Sequence, residues 1–339
     1  MSLAQAEPGE IVEHASALVG WRVLSIAAVR RGGNNRVFQL TGRRTRALLK
    51  IYPTQAEDPR DRLGQEFGAL TFLAEAGVAE VPRPIACDRT LHCAVYEWLD
   101  GAPPCEVGAA EIGELADFFI RLQQLRERPG AADLREGATP VLSPVGLAGQ
   151  LKQRLQRLAE VVKPGTEVAH FVATELTPAA ERALDYLRHG CEVAGIDFAA
   201  TLAPALRVLS PSDFGFHNAV RRPTGRLAFV DFEFFGWDGP EKAAADVMLH
   251  AGMALSPELR QLYHARVSSV LERTDPQFPL RFRLFFPALR TIWCLILLNE
   301  FLPERWARRV LAGVVADRAQ VEAQQLVRAR AMLRTELAS

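Results

Sequence analysis

The sequence predicts an α+β protein of two lobes, in which a small antiparallel β-sheet with one helix precedes a larger, mostly helical lobe. Three observations carry this prediction. The first hundred residues read as strand, strand, strand, helix, strand, strand. A linker rich in glycine and proline follows at residues 100–104, and beyond it apolar residues recur mainly at helical spacing. We therefore divide the chain into an N-terminal lobe, residues 1–99, and a C-terminal lobe, residues 100–339.

In the N-terminal lobe, five segments have strand character and one has the spacing of an amphipathic helix. The strands are expected at residues 21–29, 36–41, 46–52, 84–87 and 92–99, and the helix at residues 63–75. Lys50 lies inside the apolar run of the third strand, where a long charged side chain is unfavourable unless it has a partner. The sequence thus predicts a buried ionic contact for Lys50.

The C-terminal lobe has mainly helical segments, interrupted once by a short hairpin. Helices are expected at residues 109–126, 146–162 and 178–193, and from residue 241 to the end. Short strands are expected at residues 219–222 and 226–230.

The overall charge balance argues against a nucleic-acid-binding protein. The 339 residues include 40 lysines and arginines and 40 aspartates and glutamates, so the formal net charge is zero. Proteins that bind phosphate backbones usually carry a basic excess. The hydrophobic fraction of 49% is that of a globular protein, which excludes disordered and fibrous architectures.

The cysteines and the N-terminus indicate a reduced, cytoplasmic protein. Five cysteines are too few and too scattered for a disulfide framework, and no two form the Cys-x-x-Cys pair typical of a zinc site. The N-terminal residues are acidic and lack the apolar core of a secretion signal. The longest apolar stretch, near residues 292–298, is much shorter than the roughly 20 residues that span a bilayer. We expect no membrane partner, and the oligomeric state is left open.

The segment from residue 209 to residue 231 contains the most informative polar residues of the chain. Asn218 follows Asp213 by five residues, and two short apolar runs then flank Pro-Thr-Gly, which predicts a β-hairpin. If the turn is centred between residues 224 and 225, Asn218 and Asp231 are equally distant from it and lie side by side. An amide oxygen and a carboxylate with open coordination positions suit Mg²⁺.

This pattern resembles the aminoglycoside phosphotransferase and choline kinase family, whose members have the protein-kinase-like fold. The resemblance rests on Asp213-x-x-x-x-Asn218, on Asp231 thirteen residues later, and on the segments 230–233 and 236–240. No long activation segment follows Asp231, which makes a kinase acting on proteins the weaker interpretation.

The resemblance implies a role for each matching residue. Asp213 corresponds to the catalytic base, and Asn218 and Asp231 correspond to the magnesium ligands. Lys50 corresponds to the strand lysine that holds the α- and β-phosphates, and Glu66 to its ion-pair partner on the helix. The other nucleotide-binding positions lie in the glycine-rich loop and in the hinge that would bind adenine: Gly32, Gly33, Asn34 and Asn35 in the loop, and Glu97 and Leu99 in the hinge.

Three departures from the family pattern bear on activity. Pro211-Ser212 precedes the catalytic aspartate where the family has His-Gly, and Gly215 occupies a position that often carries a basic group. Arg31 stands where the first loop glycine is common. His217 could replace the missing basic group. Taken by itself, His250 is better explained as a packed histidine, and Asp246 as a structural group that braces the catalytic loop.

The resemblance implies a phosphotransferase that uses ATP or GTP with Mg²⁺ and phosphorylates a hydroxyl group of a small polar molecule, such as a sugar, an amino-alcohol or an aminoglycoside-like compound. The alternative is a catalytically silent, kinase-like module that binds a nucleotide or a metabolite, which the three departures favour. The sequence leaves the acceptor unidentified, because a shared fold is a poor guide to substrate.

Overall fold

The computed structural model describes residues 3, 6–29, 35–54, 58, 60–311 and 317–336. A five-stranded antiparallel sheet, in the spatial order β1-β2-β3-β5-β4, precedes a larger helical part, which confirms the α+β prediction. The strands of this sheet are β1 (Ser25–Ala28), β2 (Arg36–Thr41), β3 (Arg46–Ile51), β4 (Pro84–Asp88) and β5 (Cys93–Glu97). The lobe boundary at residues 99 and 100 stays a prediction.

The helices of the described residues include two that belong to the sheet and nine that follow it. Those beside the sheet are α1 (Pro8–Val19) and α2 (Arg62–Glu75). The others are α3 (Ala109–Gln123), α4 (Pro144–Val161), α5 (Glu167–Phe171), α6 (Thr177–Val193), α7 (Pro240–Leu249), α8 (Pro257–Thr274), α9 (Phe278–Leu297), α10 (Pro303–Leu311) and α11 (Arg318–Leu333).

The two helices beside the sheet cover its opposite faces. Leu49, like Ile51, packs with residues of α1, whereas Tyr52, Ala94 and Tyr96 belong to the main core together with α2. The two-residue period of a strand produces this division, and it turns Lys50 to the α2 face. The sequence predicted only one helix in this lobe, the one that corresponds to α2. The helix α1 follows from the same physics, because both faces of the sheet are apolar and both need cover.

The helical part has its centre at α9, which contacts α4, α6, α7 and α11. The stretch Phe278–Phe301 is long and apolar enough, by length and composition alone, to cross a membrane. The longest uninterrupted apolar run, near residues 292–298, is short because three arginines of α9 interrupt the apolar residues before it. Because 67% of the most apolar window is buried inside the protein, the stretch has the pattern of a core helix.

Two short antiparallel pairs carry the loops that contain the polar residues predicted to form the site. Strand β6 (Val208–Ser210) pairs with β9 (Gly236–Asp238), and β7 (Ala219–Arg221) pairs with β8 (Leu227–Phe229). The loop after β6 and the loop before β9 therefore leave the same end of one strand pair. This arrangement brings residues 211–218 close to residues 230–235.

Candidate active site

Lys50 joins the sheet to the loop that follows β8. Its side chain is 6% exposed, and its Nζ atom lies 2.6 Å from Glu66 Oε2 and 2.6 Å from Asp231 Oδ1. Burial alone would lower the pKa of Lys50, but Asp231 and Glu66 hold this pKa well above its usual value. Lys50 is therefore a permanent cation in a buried position, as its place in an apolar strand predicted.

Glu66 is held by two further groups besides Lys50. It accepts hydrogen bonds from the Tyr52 hydroxyl at 2.7 Å and from the Phe232 backbone N–H at 3.1 Å. Burial raises the pKa of Glu66 to about 7, Lys50 opposes this rise, and Asp231 adds to it. The glutamate thus fixes both the lysine and the backbone just after Asp231.

Glu233 is a member of this site that was not predicted from the sequence. Its Oε2 atom lies 3.5 Å from Lys50 Nζ and accepts a hydrogen bond from Asn35 Nδ2 at 2.7 Å. Its Oε1 atom accepts from the buried Arg62 at 2.6 Å. We name Lys50, Glu66, Asp231 and Glu233 the lysine cluster. The only sequence signal that could have pointed to Glu233 is its place in the segment 230–233, two residues after Asp231.

Asp213 lies in a second group of polar side chains, which we name the histidine cluster. His217 Nε2 lies 2.9 Å from Asp213 Oδ1, and His250 Nε2 lies 3.2 Å from the same oxygen. The two imidazole rings stack with their centroids 3.9 Å apart and their planes 3° apart. The histidine cluster consists of Asp213, His217 and His250.

The hydrogen-bond pattern fixes which nitrogens carry protons. The Gly252 backbone N–H donates to His250 Nδ1 at 3.0 Å, so His250 Nε2 carries the hydrogen and donates to Asp213. His217 Nδ1 is buried without a hydrogen-bond partner among the described residues, which disfavours a proton there. Both histidines can therefore donate from Nε2 to one carboxylate oxygen. Burial alone would raise the pKa of Asp213, but hydrogen bonds from His217 and His250 hold this pKa well below its usual range.

These contacts correct the interpretation of His250 as a packed histidine, because its ring contacts Asp213 directly. Trp293 of α9 packs edge-on against the His250 ring, at 4.8 Å between centroids, and its Nε1 donates to Asp246 at 2.9 Å. Lys242 also lies 2.8 Å from Asp246. Asp246 thus supports the His250 ring through Trp293.

The hairpin β7–β8 differs by one residue from the predicted register. Ala219 pairs with Phe229, so the position opposite Asn218 is Val230, whose N–H donates to the Asn218 carbonyl at 2.9 Å. The prediction that Asn218 and Asp231 lie directly opposite each other was wrong. The cause is a three-residue turn, 223–225, that ends at Gly225 with φ of +82°. Asp231 directly follows Val230, so Asp231 is adjacent to the residue that lies opposite Asn218.

The loop before Asp213 is braced by Ser212. Ser212 has φ of +64°, and its hydroxyl donates to the Phe234 carbonyl at 3.0 Å. Asp231 also lies in the left-handed region, with φ of +70°. Such backbone conformations cost energy outside glycine and concentrate at functional sites.

Gly215 leaves the space that His217 occupies. A Cβ atom built on Gly215 would lie 2.4 Å from Met253 Sδ and 2.9 Å from His217 Cε1. The same sulfur atom accepts the Phe216 N–H at 3.0 Å. The His217 ring can therefore occupy its position only because residue 215 has no side chain.

The side chains present fit a magnesium ion. Asn218 donates its Nδ2 to the Asp213 carbonyl at 3.0 Å, which leaves its Oδ1 as the ligand atom, and Asp231 supplies a carboxylate. In addition, the carboxylates of Glu66, Asp231 and Glu233 lie within 4.8 Å of one another. Among the described residues, Lys50 contacts all three of these carboxylates and Arg62 also pairs with Glu233, so the carboxylates outnumber the cations there by three to two. A divalent cation would offset this excess.

The remaining predicted nucleotide residues lie at or next to strand ends of the sheet, or outside the described residues. Glu97 ends β5, and its N–H already donates to the Arg83 carbonyl at 2.8 Å, whereas Leu99 is buried just beyond it. Asn35 contacts Glu233, as described above. Outside the described residues lie Arg31, Gly32, Gly33 and Asn34.

Comparison with protein families places this geometry in context. The model of a family described as "Phosphotransferase enzyme family" matches residues 25–277, which is most of the chain. No match was found among curated protein sequences.

Several solved structures are similar in fold over nearly the whole chain. The spectinomycin phosphotransferase APH(9)-Ia, solved with ADP and spectinomycin, is 12% identical with a TM-score of 0.60, and the match covers 95% of this chain and 99% of that one. The choline kinase LicA from Streptococcus pneumoniae is 15% identical with a TM-score of 0.59, over 96% and 98% of the two chains. The ethanolamine kinase from Plasmodium vivax is 12% identical with a TM-score of 0.55, over 96% and 86%. At sequence identities this low, the structural similarity shows a shared fold alone.

Proposed function

Since the chain belongs to the phosphotransferase enzyme family, we propose that it transfers the γ-phosphoryl group of a magnesium-bound nucleoside triphosphate, ATP or GTP, to a hydroxyl group of a small polar molecule. The observation that carries this proposal is the double contact of Lys50 with Glu66 and Asp231, at 2.6 Å each. A buried lysine held in this way is positioned before any phosphate arrives. Further support comes from neighbours of the same fold that were crystallised with ADP or AMP.

The lysine cluster would bind the nucleotide phosphates. Lys50 supplies the positive charge for the phosphates, and Glu66 keeps its side chain in place. Asn218 and Asp231 would hold the magnesium ion, which supplies charge neutralisation when it is bound. The excess of carboxylates around Lys50 supports a cation at this position.

The histidine cluster would receive the acceptor. His217 and His250 both donate to Asp213 Oδ1, which leaves Oδ2 without a partner among the described residues. This oxygen can accept a hydrogen bond from the acceptor hydroxyl and orient its oxygen toward the γ-phosphorus. As the new P–O bond forms and the bond to the β-phosphate oxygen breaks, the hydroxyl proton passes toward Asp213. Because phosphoryl transfer depends mainly on positioning, a carboxylate that stays ionised suffices.

A paired measurement on two variants tests this proposal. Mg·ATP should raise the melting temperature of the wild type, because a ligand that binds only the native state stabilises it. Asp213→Asn should keep this shift while turnover falls by about 10²-fold or more, the usual scale for loss of a positioned base. Asp231→Asn should reduce both the shift and the turnover, because the metal acts in the ground state and in the transition state.

The readouts are thermal melting with Mg·ATP and ATP consumption across a panel of small hydroxyl compounds. The proposal fails if wild type and Asp213→Asn consume ATP equally with every compound. In that case an intact Mg·ATP shift would identify the chain as a nucleotide-binding module without transferase activity, which is the alternative that Pro211, Gly215 and Arg31 favour.

A further inference from the structure

Trp293, on α9, contacts both His250 and Asp246. Its ring packs edge-on against the His250 ring, with 4.8 Å between the centroids and 70° between the planes. Its Nε1 donates to Asp246 Oδ1 at 2.9 Å. Trp293 is 8% exposed, so little of its indole is open to an acceptor. An effect of this residue on the reaction would therefore pass through His250.

The orientation of the indole is fixed, because the carboxylate to which it donates is itself held. Asp246 Oδ2 lies 2.8 Å from Lys242 Nζ, and the same nitrogen lies 2.7 Å from Asp238 Oδ2. Asp238 Oδ1 in turn accepts the backbone N–H groups of Val141, at 2.9 Å, and Gly239, at 2.7 Å. Buried polar networks whose members are satisfied in this way are rigid. The indole N–H is thus anchored to a rigid part of the helical lobe.

The other contacts of the His250 ring come from loops. Gly252, whose N–H donates to His250 Nδ1 at 3.0 Å, lies in the same loop as the histidine itself. Asp213 and His217, which the ring contacts through Nε2 and by stacking, lie in the loop after β6. The contact with Trp293 is the one that joins the ring to a core helix. It therefore ties the histidine cluster to the interior of the helical lobe.

We propose, resting on the function proposed above, that Trp293 is a positioning residue for phosphoryl transfer, which holds the His250 ring so that Nε2 donates to Asp213 Oδ1. This arrangement keeps Oδ2 available for the acceptor hydroxyl. The role requires a ring that packs against His250 and an N–H that reaches Asp246. Tryptophan supplies both, whereas phenylalanine would supply the ring alone. Catalysis depends on this contact because small displacements of a positioned group slow a reaction strongly.

The kinetic test uses Trp293→Leu and Trp293→Phe, with the best acceptor from the panel of hydroxyl compounds. Trp293→Leu should lower kcat about tenfold and leave the KM for ATP and the Mg·ATP melting shift unchanged. Trp293→Phe should lower kcat by only about two- to threefold, because a ring still packs against His250. Phe286→Leu is the matched control. It removes a buried ring from the same helix, one that packs against Phe282 at 5.6 Å, and it should keep the wild-type kcat.

A double-mutant cycle separates positioning from general packing. In a His250→Ala background, Trp293→Leu should lower kcat by less than about twofold, because the residue through which it acts is gone. Loss of packing alone would lower the melting temperature, as in Phe286→Leu, without any dependence on His250. Equal kcat values for wild type and Trp293→Leu, or the same fall in both backgrounds, would overturn the inference.

A spectroscopic test does not depend on turnover. Long-range ¹H–¹⁵N NMR spectra of the imidazole rings show which nitrogen carries the hydrogen, and the His250→Ala spectrum assigns the His250 signals. The wild type should show His250 with its hydrogen on Nε2, since Nδ1 accepts the Gly252 N–H. In Trp293→Leu the signals of the two nitrogens should move toward their average, whereas in Phe286→Leu they should stay in place.

The outcomes separate the two proposals. Unchanged His250 signals in Trp293→Leu would overturn the inference, whether or not an acceptor has been found, and would leave the transferase function standing. Signals that move in Trp293→Leu, in a protein whose wild type consumes no ATP with any compound, would overturn the transferase function and keep Trp293 as the residue that orients His250.

Discussion

The lysine cluster takes Asp231 from the loop after β8, the histidine cluster takes Asp213 from the loop after β6, and the two clusters hold their carboxylates by different means. In the lysine cluster Lys50, Glu66 and Glu233 are buried and Asp231 is 34% exposed, with Lys50 at 2.6 Å from both Glu66 and Asp231. The histidine cluster is partly exposed, and Asp213 keeps 38% of its side chain open to solvent. Its partners are imidazole N–H groups rather than a lysine or an arginine.

This difference follows from what each cluster would bind. A site for phosphates and magnesium gains from fixed charges, because preorganised charges need no rearrangement when the ligand arrives. A carboxylate that must accept a hydrogen bond from an acceptor would be blocked by a lysine or an arginine across both of its oxygens. Two imidazole donors on Oδ1 hold Asp213 in place and keep Oδ2 available.

The largest effect is expected from a substitution that breaks the lysine cluster. In Lys50→Met, the buried Glu66 and the half-buried Asp231 lose their cation, so we expect the free energy of unfolding to fall by about 3 kcal/mol. The melting-temperature shift with Mg·ATP should also disappear, because the charge that binds the phosphates is gone. Urea unfolding, and thermal melting with and without Mg·ATP, measure the two effects.

Lys242→Met is the matched control. Lys242 is likewise buried between two carboxylates, Asp238 and Asp246, but in the helical lobe. It should lose a similar amount of stability and keep the Mg·ATP shift. A normal Mg·ATP shift in Lys50→Met would remove Lys50 from the nucleotide site.

The second prediction concerns the histidine cluster. His250→Ala should lower kcat by about 10- to 100-fold, less than Asp213→Asn, because the carboxylate remains but is held by one donor fewer. The KM for ATP should not change. His250→Asn, whose amide can still donate toward Asp213 Oδ1, should recover part of the loss.

Because His250 is proposed to act through Asp213, the two substitutions should not be additive. In an Asp213→Asn background, His250→Ala should lower kcat by less than about twofold, and a double-mutant cycle measures this coupling. Full additivity would mean that His250 acts independently of Asp213, and it would contradict the positioning role.

The two clusters also differ in how far the sequence could predict them. The apolar run of β3 was enough to predict a buried ionic contact for Lys50, the family resemblance pointed to Glu66 as its partner, and the two side chains lie 2.6 Å apart. The contact between His250 and Asp213 bridges thirty-seven residues and depends on how α7 ends against Trp293 of α9. No local pattern records that packing.

The hairpin shows a second limit of the sequence. Its existence and its strands were predicted, but the register depended on whether the turn contains two or three residues. Pro-Thr-Gly is compatible with both lengths, and the left-handed Gly225 selects three. A shift of one residue moved the position opposite Asn218 from Asp231 to Val230.

A third prediction tests the space beside Gly215. In Gly215→Ala, the new Cβ meets Met253 Sδ and the His217 ring, so His217 should move away from Asp213. We expect kcat to fall about tenfold or less, with an unchanged Mg·ATP shift, because one of the two donors remains. Gly149→Ala, on α4 with open space around it, should leave kcat unchanged. If Gly215→Ala lowered the Mg·ATP shift instead, the two clusters would be coupled more closely than their contacts indicate.

The smallest expected effect concerns a half-buried histidine without a carboxylate partner. His264, on α8, packs against the Phe282 ring at 4.5 Å, and its Nε2 has no hydrogen-bond partner among the described residues. Burial lowers the pKa of His264 below 6.5, and Glu272 opposes this shift only in part. Above pH 6.5 both the folded and the unfolded states hold it neutral, so its contribution to stability is fully present. As the pH falls through the lowered folded pKa, the unfolded state binds the proton more readily and stability is lost.

His264→Gln should therefore flatten the decline of the unfolding free energy between pH 6.5 and pH 5, measured by urea titrations at each pH. His189→Gln, which replaces an exposed histidine of α6, should keep the wild-type slope. A histidine that lacks a carboxylate thus sensitises the fold to acid. Equal slopes for wild type and His264→Gln would show that burial in this lobe does not by itself keep a histidine neutral.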